Sequence, residues 1–393
     1  MAVSCQICAF PQQGTDHHEQ ALSRSLLQKA MPSGEPHEPV SRTRQEVAYG
    51  RVRFMRWRAG LLALALTGAA CTSGPTVTPS ATSRSPEAAP AQATSGRSPA
   101  VAAPIPSPSP PLPAYYIESL RARPYPGGKI QLGDVMFRGA GFTKHYMSWP
   151  SGGQTMTGTI SLPDGNGPFP VVVVNHGFIP PDRYWIGQDS GIFGDPMAAH
   201  GFISVAPNWP GYAGSGPAPA ELPQIVGELV TALDLVSSLN SLTQADMSKI
   251  AFVGHSNGGG ISQLAMVVDP RIKAVVLHGP VSSDMADNAR KWWLQRPESL
   301  GSLGSPDSNP EGYRHLSPRT YFEAGQPPVL IIQGTVDHTI PAEWTNVTYA
   351  ALQQKGIDTR LTWVDGADHD FVGANLDNAV AAQEAWVRHV LKV

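Results

Sequence analysis

Short runs of apolar, largely β-branched residues recur through the second half of the chain, each stopped by glycine, proline or asparagine. Val171–Asn175, Ile203–Pro207, Ile250–Val253, Ala274–Leu277 and Val329–Ile332 are continuous rather than alternating. A strand buries successive side chains only where both faces of its sheet are covered, so this pattern predicts the interior of a mainly parallel sheet. Leu361–Val364 closes the series, while Val135–Phe137, His145–Trp149 and Thr155–Leu162 read as antiparallel strands ahead of it. Between the runs, apolar residues return at helical spacing. Ile225, Leu229, Leu233 and Val236 mark Glu221–Leu239, and Gly258–Val268, Trp344–Gln354 and Asn378–Val390 follow. Strands and helices in this order predict an α/β fold with a central sheet of about eight strands and helices on both faces.

One interval breaks the rhythm. Residues 281–326, between the run at Ala274 and the run at Val329, are rich in Pro, Gly and Ser and contain Lys291-Trp292-Trp293. Long connections of this kind are uncommon inside a domain, so a lid or a piece of substrate wall is expected there.

Upstream of Tyr115 the pattern changes. Arg51-Val52-Arg53-Phe54-Met55-Arg56-Trp57-Arg58 precedes an uncharged run from Ala59 to Ala70, then Cys71. A basic stretch, an apolar core too short to span a bilayer and small residues before a cut describe a signal peptide. Thr67-Gly68-Ala69-Ala70-Cys71 resembles a bacterial lipoprotein signal, in which the cysteine is lipidated and anchors the protein to a membrane. Gly68 stands where such signals usually carry leucine, and simple cleavage near Ala70 is the alternative. The signal's depth in the chain points to Met55 as the start of translation and to residues 1–54 as a doubtful extension. From Thr72 to about residue 114 the chain is almost wholly Ser, Thr, Pro, Ala and Gly. Such a stretch buries little and is expected to be an extended tether, whether from a membrane or through a cell wall. An exported domain over 115–393 follows.

Composition removes several classes of function. With 41% hydrophobic and 15% charged residues, the 393-residue chain has material for one large core. Residues 71–393 hold 20 Lys and Arg against 26 Asp and Glu, a formal charge of −6 with scattered cations, so no nucleic-acid footprint is present. Cys5-Gln6-Ile7-Cys8 with His17 and His18 lacks a second pair and is a weak zinc motif. After removal of the signal only Cys71 remains, so no disulfide is expected.

The sharpest chemical signal is Gly254-His255-Ser256-Asn257-Gly258, placed between a buried run and a helix pattern. A chain turning that tightly from strand to helix has no room for side chains at the flanking positions, and it lifts the serine into an exposed, strained position. A serine hydroxyl is a weak nucleophile and needs a base that is itself braced by a carboxylate. In such folds the acid comes next and the histidine last, each after a late strand. Asp337, in Gly334-Thr335-Val336-Asp337-His338-Thr339-Ile340-Pro341, and His369, in Gly366-Ala367-Asp368-His369-Asp370-Phe371, occupy those places. His338 adjoins the acid but points away, and Asp368 and Asp370 lie too near His369 to brace it from behind. His255 reads as packing, and His176 as shaping its loop. Donors for an oxyanion are expected from the backbone N–H of Asn257 and, after His176-Gly177, of Phe178. Tyr184, Trp185, Trp209 and Tyr212 fall on loops at the carboxyl ends of strands, where they either contact substrate or pack around a loop base.

These residues make the chain resemble the catalytic domain of the prolyl oligopeptidase family and, more loosely, the dienelactone hydrolases and bacterial esterases that share the α/β-hydrolase fold. The resemblance covers roughly Thr155–Val393. It rests on Asn175-His176-Gly177, the loop Pro207–Gly216, the Ser-Asn-Gly-Gly elbow, Leu316-Ser317-Pro318 and the blocks around Asp337 and His369. It implies a Ser256–His369–Asp337 triad acting without metal or organic cofactor. Only some forty residues separate tether from core, which leaves no room for that family's β-propeller, and His255 replaces its usual glycine. Both departures favour an exported serine esterase acting on small carboxylic esters. A peptidase of short peptides, or a silent binding module on the same scaffold, are the competing expectations.

Overall fold

A computed structural model describes residues 112–393. The Cys5–Cys8 pair, the signal around Cys71 and the tether as far as residue 111 lie outside the described residues.

Nine strands rather than about eight form one sheet. In chain order they are β1 (Gln131–Gly139), β2 (Phe142–Ser151), β3 (Gln154–Pro163), β4 (Phe169–Asn175), β5 (Ile203–Pro207), β6 (Ala245–His255), β7 (Ile272–His278), β8 (Val329–Gly334) and β9 (Thr359–Val364). Across the sheet they run β1-β2-β3-β5-β4-β6-β7-β8-β9. The pairs β1–β2, β2–β3 and β3–β5 are antiparallel, and every pair from β5 to β9 is parallel.

The continuous apolar runs are explained by a two-faced core. Val171 and Val173 of β4 join one cluster, whereas Val172 and Val174 join another on the opposite face. The same alternation divides Phe252 from Val253, Val275 from Val276 and Ile331 from Ile332. Helices α3 (Gln224–Ser238) and α4 (Asn257–Val268) cover the first face, and α2 (Ser190–Ala199) and α8 (Ala374–Leu391) the second. A short α1 (Ile117–Ala122) and α7 (Ala342–Gln354) complete the main layers.

Helix α3 starts at Gln224 rather than Glu221, because Pro223 occupies the cap. The carbonyl of Glu221 instead accepts the N–H and Oγ–H of Ser302. Helix α8 begins one turn earlier than its apolar spacing suggested, and α2, with glycine and Pro196 inside it, has too little periodicity to be read in advance.

Residues 281–326 are ordered. They contain α5 (Met285–Lys291) and α6 (Pro310–Leu316), with 3₁₀ turns at Trp293–Gln295, Pro297–Leu300 and Pro318–Tyr321. Met285, Trp293, Leu300, Leu303, Tyr313 and Leu316 are buried in the first cluster. The two ends of the segment meet, since Met285 N–H donates to Ser317 Oγ at 2.9 Å and Arg319 N–H to the Ser283 carbonyl at 3.3 Å.

The order of strand addition reverses at β4, with β5 on one side and β6 on the other. Open parallel sheets form a crevice at the carboxyl ends of strands at such a point. The turn from β6 into α4 sits there. A Cβ on Gly254 would enter the Gly258 carbonyl, and one on Gly258 would enter the carbonyl of Asn175 at the end of β4. Both obstacles are backbone, so neither swings aside. Gly258→Ala is therefore expected to destabilise the fold by about 3 kcal/mol, the upper range for overpacking. Urea unfolding checks it, and an unchanged midpoint would mean that α4 slides off β4 freely.

Candidate active site

Ser256 follows β6 with φ 53° and ψ −117°, a conformation that a non-glycine residue holds only where its surroundings over-determine it. Those surroundings are the N–H of Ser256, donated to the His278 carbonyl of β7 at 2.9 Å, and the Ser256 carbonyl, which accepts from Gly259 and Val281. The side chain is thereby presented at the amino end of α4. The amide of Asn257 opens that helix, and Phe178 lies across the crevice in the loop after β4. Both residues border the cavity at Ser256. Their backbone N–H groups are the ones expected to meet a developing oxyanion.

Asp337 and His369 meet in space although 32 residues apart, with Asp337 Oδ2 2.9 Å from His369 Nδ1. The acid is held on both oxygens. Gln333 Nε2 also donates to Oδ2 at 2.8 Å, and the amides of Thr339 and Ile340 donate to Oδ1 at 2.7 and 2.9 Å. Burial pushes this carboxyl up, but the hydrogen bonds from His369, Ile340 and Thr339 outweigh it and hold it below its ordinary value. With Nδ1–H donated to Asp337, His369 presents Nε2 as the basic nitrogen. Ser256 and His369 border the same cavity. No hydrogen bond joins Ser256 Oγ to Nε2 among the described residues, and such contacts commonly tighten only when substrate binds. His338 is exposed and takes no part.

The cavity has a volume of about 170 Å³ and is walled by Phe178, Val281, Trp292, Trp293, Arg296 and Thr339. A second cleft of about 310 Å³ opens on the other side of Ser256 and His369, past Ile179, Gln188, Ile192 and Asp370. A larger surface cleft of about 650 Å³ lies at the amino ends of β7 and β8, around Asp269, Lys273 and Glu323, remote from the serine. Size alone would misplace the site.

Of the two roles open to the loop aromatics, Tyr184, Trp209 and Tyr212 show packing around a loop base. Trp209 is 1% exposed and Tyr212 3%, and neither they nor Tyr184 border the cavity. His176 lies between Trp209 and Tyr184, at ring separations of 4.1 and 4.6 Å. Tyr212 Oη donates to the Ile179 carbonyl and Tyr184 Oη to Asn208 Oδ1. These rings hold up the loop after β4 from below, because large apolar bodies under an irregular loop are better buried than solvated. Trp185 is 63% exposed and also lies outside the cavity wall. The aromatic wall is made instead by Phe178 and by Trp292 and Trp293 from the 281–326 segment, which is thus wall rather than loose cover. Arg296 extends it, its guanidinium 3.7 Å from the centre of the Phe178 ring.

Two titratable groups behind the elbow escape the sequence reading. Glu228 of α3 is buried and accepts from Gln224 Nε2 at 2.7 Å and Asn257 Nδ2 at 3.0 Å. Burial raises it to about 8 against the pull of those donors. A lone acid within the apolar stretch Ile225–Leu233 is the available signal. His255, a packing residue by its sequence, is instead an ionic partner of Asp189, with Nδ1 2.9 Å from both carboxylate oxygens. Asp189 lies 66 residues away before α2, and no sequence signal pairs them.

Residues 195–393 match the prolyl oligopeptidase family. Over 265 residues, 63% of this chain and 84% of the other, the sequence is 25% identical to "Putative carboxymethylenebutenolidase" of Escherichia coli O157:H7. A puromycin-hydrolyzing peptidase of Mycobacterium tuberculosis superposes with a TM-score of 0.50 at 19% identity, over 67% of this chain and 39% of that one. Acetyl xylan esterase 1 from Thermoanaerobacterium sp. JW/SL YS485 does so with 0.50 at 17%, over 70% of this chain and 90% of that one. At these identities the two structures speak for the fold alone. The chain spans about two fifths of the peptidase's length and most of the esterase's.

Proposed function

We propose that this chain, which belongs to the prolyl oligopeptidase family and is a serine hydrolase, acts on small carboxylic esters. The observation that carries the reading is the cavity beside Ser256. It is small, with an aromatic wall of Phe178, Trp292 and Trp293, and its lining holds one guanidinium and no carboxylate to receive a peptide's amino terminus. An acyl or aryl group of a few carbons fits it.

In this reading Ser256 Oγ attacks the ester carbonyl carbon while its proton passes to His369 Nε2. The imidazolium is stabilised through Nδ1–H by Asp337, and the carbonyl oxygen, now an anion, is met by the amides of Phe178 and Asn257. Collapse breaks the carbon–oxygen bond, and the leaving alkoxide takes the proton from His369. Water repeats the sequence on the acyl-serine, and the acid departs. Every charge that develops is met by a group already in place, which is where most of the rate enhancement in such sites arises.

A peptidase reading has one observation in its favour, the exposed carboxylate of Asp370 beside the second cleft. The two readings part on a matched pair of substrates, a short p-nitrophenyl ester and the corresponding aminoacyl p-nitroanilide. Ester turnover is expected to exceed anilide turnover by about 10³-fold in kcat/KM, a difference of about 4 kcal/mol at the transition state. Comparable turnover of the anilide would transfer the protein to the peptidases.

A further inference from the structure

We propose that Asp189 and His255 act as a positioning pair, locking the oxyanion loop, the nucleophile elbow and the loop of His369 into one register. His255 Nδ1 faces both oxygens of Asp189 at 2.9 Å, and its Nε2 lies 3.0 Å from the backbone carbonyl of His369. Both neighbours are acceptors. A neutral imidazole carries one N–H and serves one of them, so only the imidazolium satisfies both. Asp189 Oδ2 accepts, in addition, the N–H of Gly177, the residue before Phe178. One buried ion pair therefore touches three of the segments that supply the chemistry, all but the loop of Asp337.

The arrangement is built at a cost. Asp189 has φ 65° and ψ −57°, a conformation worth about 1–3 kcal/mol of strain in a residue with a side chain, which persists only where other contacts hold it. The groups facing His255 from its surroundings are Asp189 ahead of α2, His369 and Asp370 on the last loop, His176 on the oxyanion loop and His278 at the end of β7. His176 and His278 are kept neutral by burial, at about 4 and about 3. Neither changes charge above neutrality. Burial pushes His255 down as well, but Asp189 more than reverses this and raises it from 6.5 to about 9. For Asp189, burial is likewise outweighed by His255, and the carboxyl stays below its ordinary value. The sign follows from linkage. The pair's contribution is complete below 6.5, fades as pH rises through about 9, and on the acid side is lost only below the usual carboxylate range.

The inference rests on Ser256 as nucleophile and on the ester reading for turnover, so one readout is chosen that needs no substrate specificity. Phosphonylation of Ser256 by an alkyl fluorophosphonate reports only how well the base and the oxyanion hole are placed. Its rate, and kcat for p-nitrophenyl acetate, are to be followed with pH in the wild type, His255→Gln and Asp189→Asn. Both variants are expected to lose about thirtyfold in each rate while KM moves little, the scale of a small misplacement of reacting groups. The wild type's decline near pH 9 is expected to be missing in His255→Gln. Variants phosphonylated at close to the wild-type rate, or a decline that survives in His255→Gln, would overturn the proposal. Should the variants not fold, ¹⁵N NMR of the wild type decides it: both His255 nitrogens protonated at neutral pH supports the pair, and one N–H overturns it. Phosphonylation that behaves as expected without ester turnover sustains the pair and removes only the ester reading.

Discussion

Ser256→Ala is expected to lower kcat/KM for a short p-nitrophenyl ester by about 10⁵-fold, within the range seen when a serine nucleophile is deleted from a triad. The loss is that large because Ser256 alone is the nucleophile of the proposed mechanism, and the Thr339 hydroxyl in the cavity wall is not presented by the elbow. The amides of Phe178 and Asn257, the proposed oxyanion donors, are backbone groups and survive the change, so a residual acceleration over water is expected. Stability should stay close to wild type, since the contacts that hold residue 256 in its strained conformation are made by backbone N–H and C=O. Hydrolysis and thermal unfolding measured on the same preparation separate the two effects. More than about 1% of wild-type turnover in a folded Ser256→Ala protein would sink the mechanism.

Asp337→Asn is the second large effect, about 10⁴-fold in kcat, and its cause is a proton on the wrong nitrogen. All four contacts of the Asp337 carboxylate are donors: His369 Nδ1, Gln333 Nε2 and the amides of Thr339 and Ile340. An asparagine must turn its NH₂ toward one pair of them. Turned to His369, it forces the neutral ring to carry its proton on Nε2, which then cannot receive the serine proton. Turned to Thr339 and Ile340, it leaves two amides facing a donor and loosens the loop. Stability falls too, and this part depends on pH. The Asp337 carboxyl is held below its ordinary value, so its contribution is present above the usual carboxylate range and disappears as pH falls through the depressed value. Urea midpoints of the two proteins should differ near neutrality and converge in acid, and a constant gap would contradict this account. A pH-rate profile that keeps its wild-type height would contradict the tautomer argument.

Much of this was legible in the chain for definite reasons. The strands announce themselves because a sheet covered on both faces tolerates little except β-branched and aliphatic residues. Ser256 is legible because the steric demand on Gly254 and Gly258 is local. Asp337 and His369 sit in short blocks after strands, so their order places them, and the geometry brings their side chains together as drawn. What could not be read depends on partners distant in sequence. Whether Trp209 and Tyr212 look up into a cavity or down into a core is decided by the space beneath the loop, and they look down. Trp292 and Trp293 were visible as a pair, but only the return of their segment over the crevice makes them a wall. The Asp189–His255 pair joins a residue of no regular motif to the variable position of the elbow, and its charge state exists only once burial and the His369 carbonyl are known. Helix α2 failed for a plainer reason, since Pro196 and two glycines dilute its apolar stripe.

The closed ends of the 281–326 segment have a consequence for how such a protein changes over evolutionary time. The segment leaves after β7 and returns before β8, with its entry and exit fastened to each other through Met285 to Ser317 and Ser283 to Arg319. Replacement of the stretch between Met285 and Ser317 by another of matching span and matching core-facing residues would redraw the substrate wall while keeping the Val281 N–H on the Ser256 carbonyl, the sheet and the hydrogen bonds of Asp337. Selectivity is thus carried on an exchangeable cassette, and reactivity on the chassis beneath it.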